Sequence, residues 1–258
     1  DLVRFSDAPE YDKVLGHLWE DVVARKMYIT GSVGTAQYGD EGFGDAYLLP
    51  NRTYCESCAN IANVLWQYRM ALLKSDAKYA DVMELALYNG AISGITLAGN
   101  GFSYQNPLES KGGHRRTWIG LSCCPTNLTR IIPQVGSMAY ACDDKNKSLY
   151  VNLYLAGDAS IKLGDTKMKI AQKTDYPWSG KVQLTVTPKT ASDFTLRLRI
   201  PGWAQGRPVP SDLYHFGNAA VSKVTLKVNG KSADATPGTD GYAVLKRTWK
   251  PGDIVELN

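Results

Sequence analysis

Two short clusters hold the side chains with the most chemical reach, Tyr54-Cys55-Glu56-Ser57-Cys58 and Cys123-Cys124-Pro125. Three thiolates and one carboxylate, from Glu56, Cys58, Cys123 and Cys124, make a set of soft and borderline donors that suits a tetrahedral zinc ion. The bland alternative is that these thiols pack as small hydrophobes, because free cysteine is among the most buried residue types. Glu56 and Cys58 are two residues apart, which on a regular helix points them about 200° from each other. They converge on one ion only where the first helical turn is not yet regular. Pro125 disfavours a helical Cys124, which sets both adjacent thiols just before a helix N-terminus, where the dipole favours thiolates. Adjacent cysteines seldom bond to each other, because the disulfide strains the peptide between them, so the pair reads as reduced thiols sharing one ligand. Cys55 reads as a bystander and Cys142 as a buried strand residue.

Upstream, Gly39 through Asn51 form a glycine-punctuated loop with the carboxylates Asp40, Glu41 and Asp45. Such a loop can bring a proton donor to a cleft, although surface loops are also commonly acidic for solvation. The faces of Tyr104 and Trp118 could stack on a sugar ring, whereas Trp66 sits at helix spacing and fits a core. Gly101 through Glu109 is polar and irregular enough to line a site. The histidines His17, His114 and His215 show no ligand spacing. His114, beside Arg115 and Arg116, is the one placed to touch a substrate.

The elements that must position these groups change period along the chain. Asp7-Ala8-Pro9-Glu10 precedes Tyr11, Val14, Leu15, Leu18, Val22 and Val23, which recur at three- and four-residue steps and predict an amphipathic helix. A second helix is predicted from about Thr53, with Ile61, Val64, Leu65, Tyr68, Leu72 and Leu73 as its apolar face. A third runs from about Tyr79 to Ile95, and a fourth follows Pro125 with a kink at Pro133. After about Met138 the pattern alternates. Residues 149–155, 182–187, 194–200 and 224–231 read as strands of an antiparallel sandwich, the last entering a hairpin turn at Asn229-Gly230. Gly206 to Ala220 reads as an excursion on the sandwich surface.

Composition limits the partners. The 258 residues carry 29 basic and 25 acidic side chains, scattered with no run of like charge, so neither nucleic acid nor a membrane is expected. No stretch approaches the roughly 18 apolar residues of a spanning helix, and the N-terminus does not read as a signal peptide. The protein is expected in the cytoplasm, or in the periplasm if a targeting segment is missing from this chain. Five cysteines, an odd number, argue against a disulfide framework in a chain of this length.

Met27 to Gly31, Glu41 to Asn51, Tyr54 to Cys58, Tyr104 to Glu109 and Trp118 to Asn127 resemble, in order and spacing, the β-L-arabinofuranosidase family of glycoside hydrolases, family 127, once labelled a domain of unknown function. Lys227 to Gly230 and Tyr242 to Asp253 look like that family's closing strands. The resemblance implies an α+β multidomain chain. Residues 1–140 would be the C-terminal half of an (α/α)6 toroid of the six-hairpin glycosidase kind, and residues 141–258 an antiparallel β-sandwich, itself incomplete. It also implies zinc held by Glu56, Cys58, Cys123 and Cys124, with Cys123 as a nucleophile forming a thioglycosyl intermediate with retention and Glu41 as general acid/base. The implied substrate is terminal β-L-arabinofuranose on a plant glycan, cleaved by a bacterial enzyme. Two alternatives stay open: the same machinery on another furanose or acid sugar, and a non-catalytic structural-zinc protein whose sandwich binds carbohydrate. Family members have an Arg-His element on an earlier helix and continue beyond Val255 to Asn258. The chain is therefore expected to be a fragment, inactive alone, whose uncovered helix faces favour self-association.

Overall fold

A computed structural model describes residues 2–5, 9–35, 41–218 and 223–258. Asp7 and Ala8 of the predicted first cap, Gly39 and Asp40 of the acidic loop, and Ala220 at the end of the predicted excursion lie outside the described residues. The chain is a mixed fold of helices and two β-sheets that separates into two compact units. The first comprises Asp1–Lys74, Tyr79–Pro133 and Arg207–Gly217, and the second comprises Ser75–Lys78, Gln134–Gly206 and Asn218–Asn258. Among the described residues no helix is long and apolar enough to cross a membrane.

The helices are α1 (Leu2–Phe5), α2 (Pro9–Arg25), α3 (Ser57–Lys74), α4 (Ala77–Leu85), α5 (Cys123–Ile131) and α6 (Val135–Met138). In α2, Trp19, Val22 and Val23 are buried, while Tyr11, Val14 and Leu18 of the same apolar stripe are exposed. The predicted apolar face of α3 is wrong in part. Ile61 and Val64 are buried, but Leu65, Leu72 and Leu73 are exposed, and their places are taken by Asn60, Asn63 and Gln67. These buried polar groups are all partnered, which removes the cost of desolvating them. The Val33 amide donates to Asn60 Oδ1 (3.1 Å), Asn60 Nδ2 donates to the Gly90 carbonyl (2.8 Å), Asn63 Nδ2 to Gly31 O (3.0 Å), and Trp19 Nε1 to Gln67 Oε1 (2.6 Å).

The predicted third helix is one helical run of changing pitch. After Leu85 it widens to a π-helical stretch, Ala86–Ala91, and tightens to a 3-10 turn, Ile92–Gly94. The widened turn presents the Gly90 carbonyl to Asn60, and a Cβ at Gly90 would meet Ser32 Oγ at 3.0 Å. At Pro133, which cannot donate to the ladder, α5 gives way to the 3-10 turn Ile132–Gln134.

The strands are β1 (Tyr140–Asp143), β2 (Ser148–Val151), β3 (Gly157–Leu163), β4 (Thr166–Thr174), β5 (Val182–Pro188), β6 (Ser192–Arg199), β7 (Leu226–Val228), β8 (Lys231–Ala233), β9 (Tyr242–Trp249) and β10 (Asp253–Leu257). They form a four-stranded sheet, β1-β2-β6-β9, and a six-stranded sheet, β3-β4-β5-β10-β7-β8. Buried side chains of both sheets, among them Leu149, Leu196, Ile170, Leu184 and Val255, belong to one apolar cluster. The expectation of purely antiparallel pairing fails at one ladder: β2 pairs with β6 in parallel, Leu149 opposite Leu196. Three strands of the other sheet intervene between β2 and β6, giving the long crossover that parallel neighbours need. The β7–β8 turn has Asn229 and Gly230 at φ 52° and 75°, the left-handed pair that a two-residue hairpin of this type requires.

Two further expectations are corrected. The excursion after Gly206 does not lie on the sheets: Arg207–Gly217 belongs to the helical unit, where Val209 joins the core of Trp19, Val23 and Met27, and the Tyr214 hydroxyl donates to Met27 O (3.0 Å). An apolar anchor and a tyrosine in a polar segment are too sparse to register as periodicity. Cys142 is exposed rather than buried: it stands opposite the buried Leu149, but on β1, the edge strand of its sheet, which has a neighbouring strand on one side only.

Candidate metal centre

The first pair of donors is set by how α3 begins. Glu56 is not helical; it forms an isolated antiparallel bridge with Gln105, and the helix starts at Ser57. The Ser57 amide donates to Tyr104 O (2.9 Å), its Oγ donates to Ser103 O (2.8 Å), and Asn106 Nδ2 donates to Ser57 Oγ (3.0 Å). The extended Glu56 and the first-turn Cys58 thus reach the same side, as the two-residue spacing demands.

The second pair differs from expectation. Cys123 and Cys124 are the first two residues of α5, not residues ahead of it, with Ser122 as the N-cap. Pro125 is tolerated there because a first-turn N–H has no intrahelical acceptor to lose. Both thiols still lie at a helix N-terminus, where the dipole favours negative charge.

The four donors converge, their ligand atoms all lying within 4.8 Å of one another. Cys58 Sγ is 3.4 Å from Cys124 Sγ, Cys124 Sγ is 3.4 Å from Glu56 Oε1, and Cys123 Sγ is 3.9 Å from both Glu56 Oε1 and Cys124 Sγ. Tetrahedral zinc with Zn–S bonds of about 2.3 Å spaces its sulfurs about 3.8 Å apart, so these separations and this donor set fit such an ion. Cys124 is buried, Cys58 half-buried and Cys123 exposed. Burial pushes the Cys58 thiol up to about 11, against the lowering donation from Asn127, and burial likewise raises Cys124. Cys55 stands apart: it is buried beside Thr53 Oγ1 (3.3 Å), and burial raises its thiol to about 11.

A cavity of about 500 Å³ is lined by Glu41, Phe43, Tyr54, Glu56, Cys58 and Trp66 among others. Glu41 is exposed on its loop and shares this cavity with Glu56 and Cys58. Tyr104 is half-buried, its hydroxyl 2.9 Å from that of Tyr54, and that hydrogen bond together with burial and the nearby Glu56 raises its phenol. His114 is not brought to the four donors. It lines a separate polar groove of about 600 Å³ with Tyr104, Gln105, Arg115 and Arg116. Trp118 is 61% exposed and lines neither space. Sequence reading missed Tyr54, whose signal was its place in the first cluster, and Asn127, whose Nδ2 donates to Cys58 Sγ (3.2 Å).

Comparison with known proteins converges on one family. Residues 1–137 match the Beta-L-arabinofuranosidase GH127 catalytic domain, and residues 148–258 match the GH127 middle domain. A non-reducing end β-L-arabinofuranosidase of Bifidobacterium longum subsp. longum is 35% identical over 255 residues, covering 93% of this chain and 35% of its own length. The structure of a GH127 β-arabinofuranosidase superimposes with a TM-score of 0.91 at 44% identity, over 97% of this chain and 39% of the other. A GH127 β-L-arabinofuranosidase from Geobacillus stearothermophilus T6 gives 0.80 at 41% identity, over 93% and 37%. The chain thus spans little more than a third of the relatives it matches, but it matches them across both of its units, and it belongs to the β-L-arabinofuranosidase family of glycoside hydrolases, GH127.

Proposed function

We propose that this chain supplies catalytic machinery of a retaining glycoside hydrolase that releases terminal β-L-arabinofuranosyl residues from plant glycans. The observation that carries the reading is the convergence of Glu56, Cys58, Cys123 and Cys124, with Glu41 on the cavity that Glu56 and Cys58 line. In this reading residues 1–140 form the C-terminal half of an (α/α)6 toroid and residues 141–258 a β-sandwich around the shared core of the two sheets.

Glu56, Cys58, Cys123 and Cys124 would hold zinc, which when bound keeps the cysteine sulfurs as thiolates at neutral pH. Cys123 is the most exposed cysteine of the set and sits at the α5 N-terminus, which favours it as the sulfur that meets a substrate. It attacks the anomeric carbon as the glycosidic bond breaks, forming a thioglycosyl intermediate. Glu41 gives its proton to the departing oxygen and then takes one from the water that resolves the intermediate. Two displacements at one carbon retain its configuration. Tyr104 contacts the sugar, and Trp118 and His114 meet the remainder of the glycan.

A structural zinc site has all four positions filled by protein ligands, as this donor set would fill them, so the number of ligands does not separate the two readings. What favours catalysis over a purely structural ion is the exposure of Cys123 and the cavity that brings Glu41 beside Glu56 and Cys58. Because the chain alone is expected to be inactive, hydrolysis of 4-nitrophenyl β-L-arabinofuranoside by a zinc-loaded protein that carries this chain at the full length of its relatives, followed by proton NMR, tests the reading. L-arabinose released first as the β-anomer supports it; zinc binding without turnover of any furanoside supports the structural alternative.

A further inference from the structure

Asn127 lies three residues beyond Cys124 and four beyond Cys123 on α5, the spacing that stacks side chains on one helix face. It is half-buried, and its Nδ2 sits 3.2 Å from Cys58 Sγ. The amide therefore reaches from the helix that supplies two of the sulfurs to the sulfur supplied by α3. An amide N–H can only donate, and charged acceptors make the stronger hydrogen bonds, so the contact is at its best when Cys58 is a ligand thiolate. A neighbour that only filled space between the helices would not need a donor here. Leu128, the next residue, is fully buried and fills that role.

We infer that Asn127 is a positioning residue of the metal centre: its amide orients the Cys58 sulfur toward Glu56, Cys123 and Cys124 and carries part of the charge of the bound thiolate. The inference rests on the zinc reading above and extends it beyond the four ligands. Partners that orient a ligand atom in this way typically contribute about 10- to 100-fold in metal affinity.

The test compares the purified protein with Asn127→Leu, which keeps similar volume and loses the donor, by competing each for zinc against a chromogenic chelator. The inference predicts one zinc in both proteins, held about 10- to 100-fold more weakly in the variant. Equal affinity in the two would overturn it while leaving the zinc reading intact. Absence of zinc binding by the unsubstituted protein would remove both. Should Asn127→Leu lose its far-ultraviolet circular dichroism, the unsubstituted protein decides alone: after loading with ¹¹³Cd, the Asn127 side-chain amide proton is predicted to couple to the metal through the Cys58 sulfur. No such coupling in the cadmium-loaded protein would overturn the inference.

Discussion

Glu56 Oε1 lies 3.4 Å from Cys124 Sγ, although 68 residues separate them in the chain. The bridge to Gln105 holds Glu56 extended, and the start of α5 delivers Cys124, so two helix beginnings make one donor set. In the absence of metal, burial pushes the Cys58 thiol up to about 11 and raises Cys124 as well, so both are protonated at neutral pH. Zinc must displace those protons. We predict release of at least about two protons per zinc near pH 7.5, those of Cys58 and Cys124, read by calorimetry in buffers of different ionisation enthalpy. Affinity should rise with pH as the thiols' protons are more easily lost and fall as pH drops. An affinity independent of pH between 6 and 8 would contradict thiolate ligation.

The buried polar column of α3 should matter as much as its apolar side. Asn60 joins the Val33 amide to the Gly90 carbonyl, and Val33 and Gly34 line the cavity beside Glu56. Asn60→Leu leaves two buried backbone groups unpaired, at a cost of about 2–5 kcal/mol, which chemical denaturation would read as a lowered midpoint. A variant as stable as the parent would mean that the column is incidental.

Asp253 closes the last hairpin. The Lys250 amide donates to Oδ2 (2.9 Å) and Asn229 Nδ2 to Oδ1 (2.9 Å). Burial opposes the charged form, but these donations and the nearby Arg247 outweigh it and lower the carboxyl below the usual aspartate range. A depressed acid stabilises the fold fully above its unfolded value, about 3.9, and that stabilisation fades as pH falls through the lower folded value. Asp253→Asn should cost about 1–2 kcal/mol at pH 7 and flatten the loss of stability below pH 4, as followed by urea denaturation across pH. Parallel pH profiles for the two proteins would rule this out.

Much of this arrangement was legible in the residues themselves. The alternation of Val182, Leu184 and Val186 gave a strand whose inward side chains are buried, and Asn229-Gly230 marked a hairpin by its tolerance of positive φ. The spacing of Glu56 and Cys58 stated its own condition, an irregular first turn, and the bridge at Glu56 meets it. What stayed hidden depends on partners far along the chain. Leu72 and Asn63 exchange the burial that their polarity suggests because Asn63 finds Gly31 O, a contact no local pattern encodes. The parallel register of β2 and β6 follows from a crossover through the other sheet. Cys123 and Cys124 turned out helical because the restriction that Pro125 imposes on its predecessor is a bias that tertiary contacts can override.

The role of Cys123 is tested most directly by an arabinofuranose-derived electrophile aimed at the anomeric position, followed by peptide mass mapping of the zinc-loaded protein. The account predicts one adduct, on Cys123, lost when the protein is first incubated with L-arabinose. An adduct on Glu56 or Asp45 in place of Cys123 would contradict the assignment of a cysteine nucleophile, and one on Cys124 would move it by one residue.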